Sequence, residues 1–268
     1  MLSCTALLLA CPLAAPPDSA PAPRIAIVTT AVSDEPADIL EDIVDSYQEA
    51  YNEFVSAYRA ASDDAGRNAA RAELMPDPGI YAEKILALVK EHPGSDVAWE
   101  GFNWIVGRAG NSASGPAAML MMIEQFTDKE ELGDVVLRTT RGPFNRDIAK
   151  ALGNLAESSP HASVQGKASF ALGMQYKGLS EAATDKKEKD GLNKRFLRVM
   201  KMVCEKHGDV SYGRSTLRSA AEGEVFVAEN LQIGMVAPDI AAADLDGVEF
   251  KLTDYRGKVV VIDFWGNW

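Results

Sequence analysis

Asp263 is the side chain of this sequence with the clearest argument for proton chemistry. It lies between Ile262 and Phe264, at the end of a continuous apolar run. A carboxylate in such surroundings loses hydration, which raises its pKa and suits it to proton transfer near neutral pH. The sequence therefore predicts Asp263 as a buried acid.

Cysteine and histidine, by contrast, show no pattern typical of catalysis or metal binding. Cys204 shares one predicted helical face with Phe196, Val199, Met200 and Val203, so we expect it to behave as a small buried apolar residue. The three histidines lie near predicted helix ends without metal-ligand spacing. We therefore expect no disulfide framework, no metal and no cofactor.

The apolar run before Asp263, Val259 to Ile262, is typical of a strand that is buried on both faces of a sheet. A central strand needs neighbours on both sides, because unpaired buried backbone groups cost free energy. Only a short part of the preceding sequence is strand-like, and a ribbon of two or three strands is marginal in water. We therefore expect the fold of this region to be completed by residues beyond Trp268.

Several motifs in the last 36 residues resemble one family. The chain runs Ile-Gly-Met-Val-Ala-Pro-Asp-Ile from residue 233, Asp-Leu-Asp-Gly from residue 244 and Phe-Lys-Leu-Thr-Asp-Tyr-Arg-Gly-Lys from residue 250, and it reaches Asp-Phe-Trp-Gly-Asn-Trp at residue 263. This order and spacing resemble the opening of thioredoxin-like redoxins, the group of AhpC/TSA peroxidases and TlpA-like disulfide reductases. An ordinary hairpin turning at Asp246-Gly247 is the alternative interpretation.

The resemblance implies a site that these residues do not complete. It implies that Asp263 is the acid behind a Cys-x-x-Cys pair, with Trp265 and Trp268 beside the active site, and that the first of these cysteines would directly follow Trp268. Packing is the alternative role for both tryptophans. The family chemistry needs a thiolate, so we expect no such activity from residues 1–268, and peroxidase and disulfide reductase stay open alternatives.

The beginning of the chain is typical of an export signal. An apolar segment from Leu2 to Ala15 precedes a proline-rich stretch, and it is too short to span a bilayer. The residues before Cys11 resemble a bacterial lipoprotein box, which would make Cys11 the lipidated residue. We predict a plain or lipoprotein signal over residues 1–23, and a location in the periplasm or cell envelope.

Helical periodicity dominates the middle of the chain. One long amphipathic helix is predicted from the Pro36 region to about Ala72. Beyond it, helical runs break at positions 93, 127 and 160, which are 34 and 33 residues apart, and a second run follows each break: Val97 to Val106, Glu131 to Leu137 and Val164 to Met174. This period resembles an array of TPR-like helical hairpins, although the usual TPR consensus residues are mostly absent.

Composition and charge limit the partners. With 47 % apolar residues, 25 % charged residues and a formal net charge of -12, the chain is globular, and phosphate-backbone binding is not expected as its main activity. A protein or peptide partner on the helical array, and a thiol or disulfide partner for a complete redox domain, are the partners we expect. A membrane contact is expected only through a lipid anchor.

The predicted fold is a mostly α domain of TPR-like hairpins over residues 24–228, followed by the opening strands of an incomplete α/β thioredoxin-like domain over residues 229–268. Two functions stay open. The chain is the front part of an exported thiol oxidoreductase or peroxidase, or it is a non-enzymatic helical interaction module of the cell envelope.

Overall fold

Helices form most of this protein. The structure, a computed structural model, describes residues 35–263 and residue 265. Its helices are Pro36–Ala60 (α1), Asp64–Leu74 (α2), Pro78–Glu91 (α3), Asp96–Arg108 (α4), Ser114–Gln125 (α5), Leu132–Val136 (α6), Arg146–Ser158 (α7), Ala162–Ala182 (α8), Lys186–His207 (α9) and Leu217–Asn230 (α10).

Short strands complete the described fold. Ser211–Tyr212 (β1) pairs with Ser215–Thr216 (β2), and Ala241–Ala243 (β3) pairs with Glu249–Lys251 (β4), both antiparallel. Two 3-10 segments lie at Leu137–Arg141 and Leu252–Tyr255. The predicted class, a mostly helical region followed by a partial β region, is confirmed.

Side-chain caps explain where several helices begin. Asp77 accepts a hydrogen bond from the backbone N–H of Gly79 and precedes Pro78, which suits the first turn of α3. Ser95 caps α4 by accepting from the N–H of Ala98. Each cap satisfies a backbone donor that the first helical turn leaves without a partner.

The predicted helix pairs are present. Each predicted break separates two consecutive helices: α3 from α4, α5 from α6, and α7 from α8. Helix α3 packs against α4, and α7 packs against α8. One apolar core is formed by α1 together with the helices from α3 through α8. Phe102, Ile105 and Leu152 are fully buried in it. A second core around Phe196 and Met200 joins α8, α9 and α10.

The prediction of one long helix to about Ala72 is wrong, because α1 ends at Ala60. The chain leaves the helical conformation at Ala61, and α2 begins afresh after Asp63, whose carboxylate accepts a hydrogen bond of 2.7 Å from the N–H of Gly66. Aspartate favours an N-cap over a helix interior because its side chain bonds to nearby backbone groups. The periodicity does not mark this break, because the alanines of α2 follow the apolar residues of α1 along the chain.

Candidate functional site

The C-terminal segment, which we define as residues 231–263, carries the predicted redox motifs. Its hairpin pairs Ala242 of β3 with Phe250 of β4. The turn is held by Asp244, whose Oδ1 accepts hydrogen bonds of 2.9 Å from the N–H groups of both Asp246 and Val248. Gly247 has a φ of 82°, a conformation that glycine adopts without strain.

A second carboxylate ties the two ends of this hairpin together. Asp239 Oδ1 accepts from the Thr253 backbone N–H at 3.0 Å, and Oδ2 accepts from the Thr253 hydroxyl at 3.0 Å. The backbone hydrogen bond from Thr253 is the main reason why the pKa of Asp239 is lowered from its usual value. Sequence reasoning missed this pair, since its partners are fourteen residues apart.

The central strand predicted at Val259 to Ile262 is not formed in the described structure. These residues are exposed, with Val259 at 98 % and Val261 at 89 %, while Val260 and Ile262 are near half that exposure. The physical reason is the absence of a pairing partner among the described residues, because a strand forms its hydrogen bonds only with a neighbour. The apolar pattern indicated that the segment is strand-prone, but it did not indicate whether neighbouring strands are present to pair with it.

Asp263 is exposed in this structure, so the burial on which its predicted acid chemistry depends is not present there. Trp265 is 84 % exposed. Trp268, Phe264 and Asn267 lie outside the described residues, as do Cys11 and the whole predicted export signal. The roles of Asp263, Trp265, Trp268 and Cys11 stay predictions.

Cys204 lies partly buried on α9 and packs against the second core. Burial is the main cause that raises the pKa of its thiol, and Glu222 adds to the effect. Because the thiolate is the reactive form of cysteine, a raised pKa makes Cys204 a poor nucleophile. This agrees with the packing role that the sequence predicted.

His207 ends α9 at a tight contact with α8. A Cβ atom built on Gly166 would lie 2.9 Å from the Cβ of His207. Burial is the main cause that lowers the pKa of His207, and the nearby positive charge of Lys206 contributes. Within residues 35–263 no group of His, Cys, Asp and Glu side chains is arranged to hold a metal ion, and no helix is long and apolar enough to cross a bilayer.

Three arginines of the helical region meet at one open groove. Arg108 ends α4, while Arg138 and Arg141 lie on the 3-10 segment after α6. Sequence reasoning expected a partner surface on the helices and identified none of these residues. No local signal could have found them, because Arg108 and Arg138 are thirty positions apart and are joined only by the contact of Arg138 with Asn103 and Gly107 of α4.

Comparison with curated proteins finds similarity to thiol-disulfide oxidoreductases over a short stretch. Over 36 residues the chain is 56 % identical to the thiol-disulfide oxidoreductase ResA of Geobacillus thermodenitrificans, which is 13 % of this chain and 21 % of that protein. The thiol-disulfide oxidoreductase ResA of Geobacillus kaustophilus is 53 % identical over 36 residues, with the same shares. That of Bacillus thuringiensis subsp. konkukian is 42 % identical over 40 residues, 15 % of this chain and 23 % of that protein.

The chain thus spans about a fifth of the length of the curated relatives it matches. No family model matches it. No solved structure matches it either. The similarity supports a thioredoxin-like relationship for a short stretch, equal in length to the segment 233–268 that carries the sequence motifs.

Proposed function

We propose that residues 233–268 begin a thioredoxin-like domain, and that the full protein is an exported thiol-disulfide oxidoreductase in which the helical region positions this domain. The observation that carries the proposal is the 56 % identity over 36 residues to a protein named as a thiol-disulfide oxidoreductase. The ordered motifs from Ile233 to Trp268 agree with it.

The chemistry proposed for the full protein is thiol–disulfide exchange. One cysteine thiolate attacks a sulfur of the substrate disulfide and releases the other substrate thiol, and the second cysteine then displaces the substrate and forms the protein disulfide. Cys204 does not suit the first step, since burial raises the pKa of its thiol. The cysteine pair of this proposal lies beyond residue 268.

The exposure of Val259 to Ile262 supports this assignment. Four consecutive apolar β-branched side chains in water are costly, because burying each would stabilise the protein by about 1.5–3 kcal/mol. An exposed, strand-prone and apolar segment of this kind is also an aggregation hazard. A sheet built from further residues of the domain would cover these side chains and pair their backbone. Asp263 would then be buried, as its proposed acid role requires.

The test compares the 268-residue chain with the product of the full coding region, sequenced past the Trp268 codon. We expect the longer protein to contain Cys-x-x-Cys and to reduce insulin disulfides, and the 268-residue chain to show no turnover. Replacing either cysteine of the pair by serine should abolish the activity. Turnover by the 268-residue chain, or a coding region without the pair, would remove the redox assignment.

Peroxidase activity is tested on the same longer protein. If hydrogen peroxide is consumed faster than insulin is reduced, the protein is a thiol peroxidase of the same thioredoxin-like group. Export is proposed from the amino-terminal segment. The mass of the mature protein distinguishes a plain cleaved signal from lipidation of Cys11.

A non-enzymatic interaction function of the helical region is the second candidate. The groove formed by Arg108, Arg138 and Arg141 favours it. It does not depend on whether the redox domain is present.

A further inference from the structure

An open groove crosses one side of the helical region. It consists of a depression of about 730 Å³ at the ends of α4 and of the 3-10 segment after α6, and an adjoining one of about 520 Å³ along α4. Gly107, Arg108 and Arg138 line both depressions, so the two are neighbours on the surface. Each volume lies in the range typical of ligand sites.

Arg138 occupies the centre of this groove because Gly107 has no side chain. A Cβ built on Gly107 would lie 2.6 Å from Arg138 Nη1. From this position Nη1 donates a hydrogen bond of 3.3 Å to the backbone oxygen of Asn103. A guanidinium carries five N–H donors in a fixed fork, so most of the donors of Arg138 stay available to a ligand.

Arg141 is positioned by a buried glutamine. Gln175 Nε2 donates to the backbone oxygens of Thr139 at 2.8 Å and Pro143 at 3.2 Å, and its Oε1 accepts from the N–H of Asn145 at 2.8 Å. The side chain of Gln175 is fully buried. It therefore holds the segment on both sides of Arg141 in place, which lowers the ordering cost of binding.

The groove is locally positive on an acidic protein. Among the described residues, Arg108, Arg138 and Arg141 form no ion pair. Three carboxylates line the groove with them, those of Asp77, Asp134 and Glu100. Asp134 is already paired with Lys167 at 2.5 Å. The arginines thus outnumber the unpaired carboxylates in a chain with a net charge of -12.

Aromatic surface lines the other end of the groove. Trp99 and Trp104 are both partly buried there, beside Glu100. Trp104 is held by an edge contact with Tyr47, at 5.2 Å between ring centroids. Trp99 is held by an edge contact with Phe126 at the same distance. These rings offer a fixed apolar surface at one end, while the arginines offer hydrogen-bond donors at the other.

Two hydroxyl-bearing side chains, Ser112 and Tyr212, lie at the arginine end of the groove. The Ser112 hydroxyl is buried and has no hydrogen-bond partner within the described part of the chain. The Tyr212 side chain lines the same depression. A buried hydroxyl without a partner is costly.

We propose that this groove binds an extended acidic peptide segment of a partner protein, with its carboxylates on Arg108, Arg138 and Arg141 and an apolar side chain against Trp99 and Trp104. Arginine forks match carboxylates in paired hydrogen bonds. The length of the groove over two depressions suits an extended chain better than a single small anion.

The probe is a short fluorescein-labelled peptide of sequence Gly-Asp-Glu-Leu-Asp-Phe-Glu-Asp-Leu-Gly, titrated against the 268-residue chain by fluorescence anisotropy. One comparison peptide carries Lys for every acidic residue, and another carries Ser for each Leu and Phe. We expect the acidic peptide to bind, the Ser-containing peptide to bind more weakly and the Lys-containing peptide not to bind.

Two variants test the site itself. Arg138→Gln removes the central guanidinium, and Gly107→Ala displaces it without changing the charge. Each should weaken binding of the acidic peptide by about tenfold, which corresponds to about 1.4 kcal/mol. Arg59→Gln is the matched control, since Arg59 lies exposed in the last turn of α1 and outside the groove, and it should change the affinity by less than about twofold. Far-ultraviolet circular dichroism verifies that all variants are folded.

Three results would overturn the proposal. The first is binding of the Lys-containing peptide as tightly as the acidic one, or no binding of either. The second is an equal loss of affinity in Arg59→Gln and Arg138→Gln. The third is displacement of the acidic peptide by equimolar inorganic phosphate or single-stranded oligonucleotide, which would make the groove a site for small anions or nucleic acid. None of these results bears on the redox assignment.

Discussion

The helical region buries many of its apolar side chains, whereas the C-terminal segment leaves its apolar side chains exposed or only partly buried. All described buried residues lie between Leu40 and Ala221, and no described residue from 231 to 263 is buried. The C-terminal segment is nevertheless rich in valine and isoleucine. Its apolar content therefore does not stabilise it in the described structure.

The difference follows from where each element finds its hydrogen bonds. A helix satisfies its backbone within itself and needs a neighbour only for one apolar face. A strand needs neighbours for its backbone as well as its faces. The backbone of α7 and α8 is therefore satisfied within each helix, whereas the backbone of Val259 to Ile262 has no strand partner among the described residues.

The largest expected effect comes from shortening one apolar side chain in each region. Leu152→Ala, in the fully buried core, should lower the free energy of unfolding by about 2–5 kcal/mol because it leaves a cavity. Val261→Ala should change it by less than about 0.5 kcal/mol, since Val261 is 89 % exposed. Urea denaturation followed by circular dichroism measures both. Equal losses would mean that Val261 is buried in solution.

Two glycine substitutions show how tightly the helical region packs. In Gly115→Ala the new Cβ would collide with the backbone oxygen of Gly110, so we expect a loss of about 1–3 kcal/mol. Gly191→Ala has open space within α9 and should stabilise the protein by about 0.5–1 kcal/mol. In thermal denaturation, the melting temperature should fall for Gly115→Ala and rise for Gly191→Ala. Two shifts of the same sign would contradict the packing described at Gly115.

The pH dependence of the helical region should depend on His207. Its folded pKa lies below the ordinary 6.5, so the unfolded state binds the proton more readily, and stability is fully present above pH 6.5. It should fall as the pH drops from there toward the folded pKa. His207→Gln should flatten this decline in urea titrations at several pH values, and Lys206→Gln should reduce it partly. If stability declined with falling pH equally steeply in both variants and in the unchanged protein, His207 would not be the cause of the decline.

The smallest expected effect lies in the C-terminal segment. The folded pKa of Asp239 is lowered by its hydrogen bonds with Thr253, so the contribution of this contact is present above the ordinary pKa of 3.8 and lost as the pH falls through the folded value. The amide resonance of Thr253 should report the loss, and Asp239→Asn should weaken the contact at neutral pH. Global unfolding should not respond, because no buried side chain depends on this hairpin. A shift of the global transition would show that the hairpin and the helical core unfold together.

Sequence patterns predicted the helical fold well because helix formation is local. The breaks at positions 93, 127 and 160 are marked by turn and cap residues, and the structure places the ends of α3, α5 and α7 there. The same patterns missed the break at Ala61 because the apolar face continues beyond it. They also predicted burial for Asp263, which depends on strands that the described residues do not supply.

By itself, the sequence determined the helix pairs, the packing role of Cys204 and the strand-prone, redoxin-like motifs near the C-terminus, since each depends on residues close together in the chain. Only the tertiary structure decided which side chains meet. It brought Arg108 to Arg138 across thirty residues through the missing side chain of Gly107, and it joined Asp239 to Thr253. Contacts between distant residues are set by how helices and turns pack, and no local pattern records them.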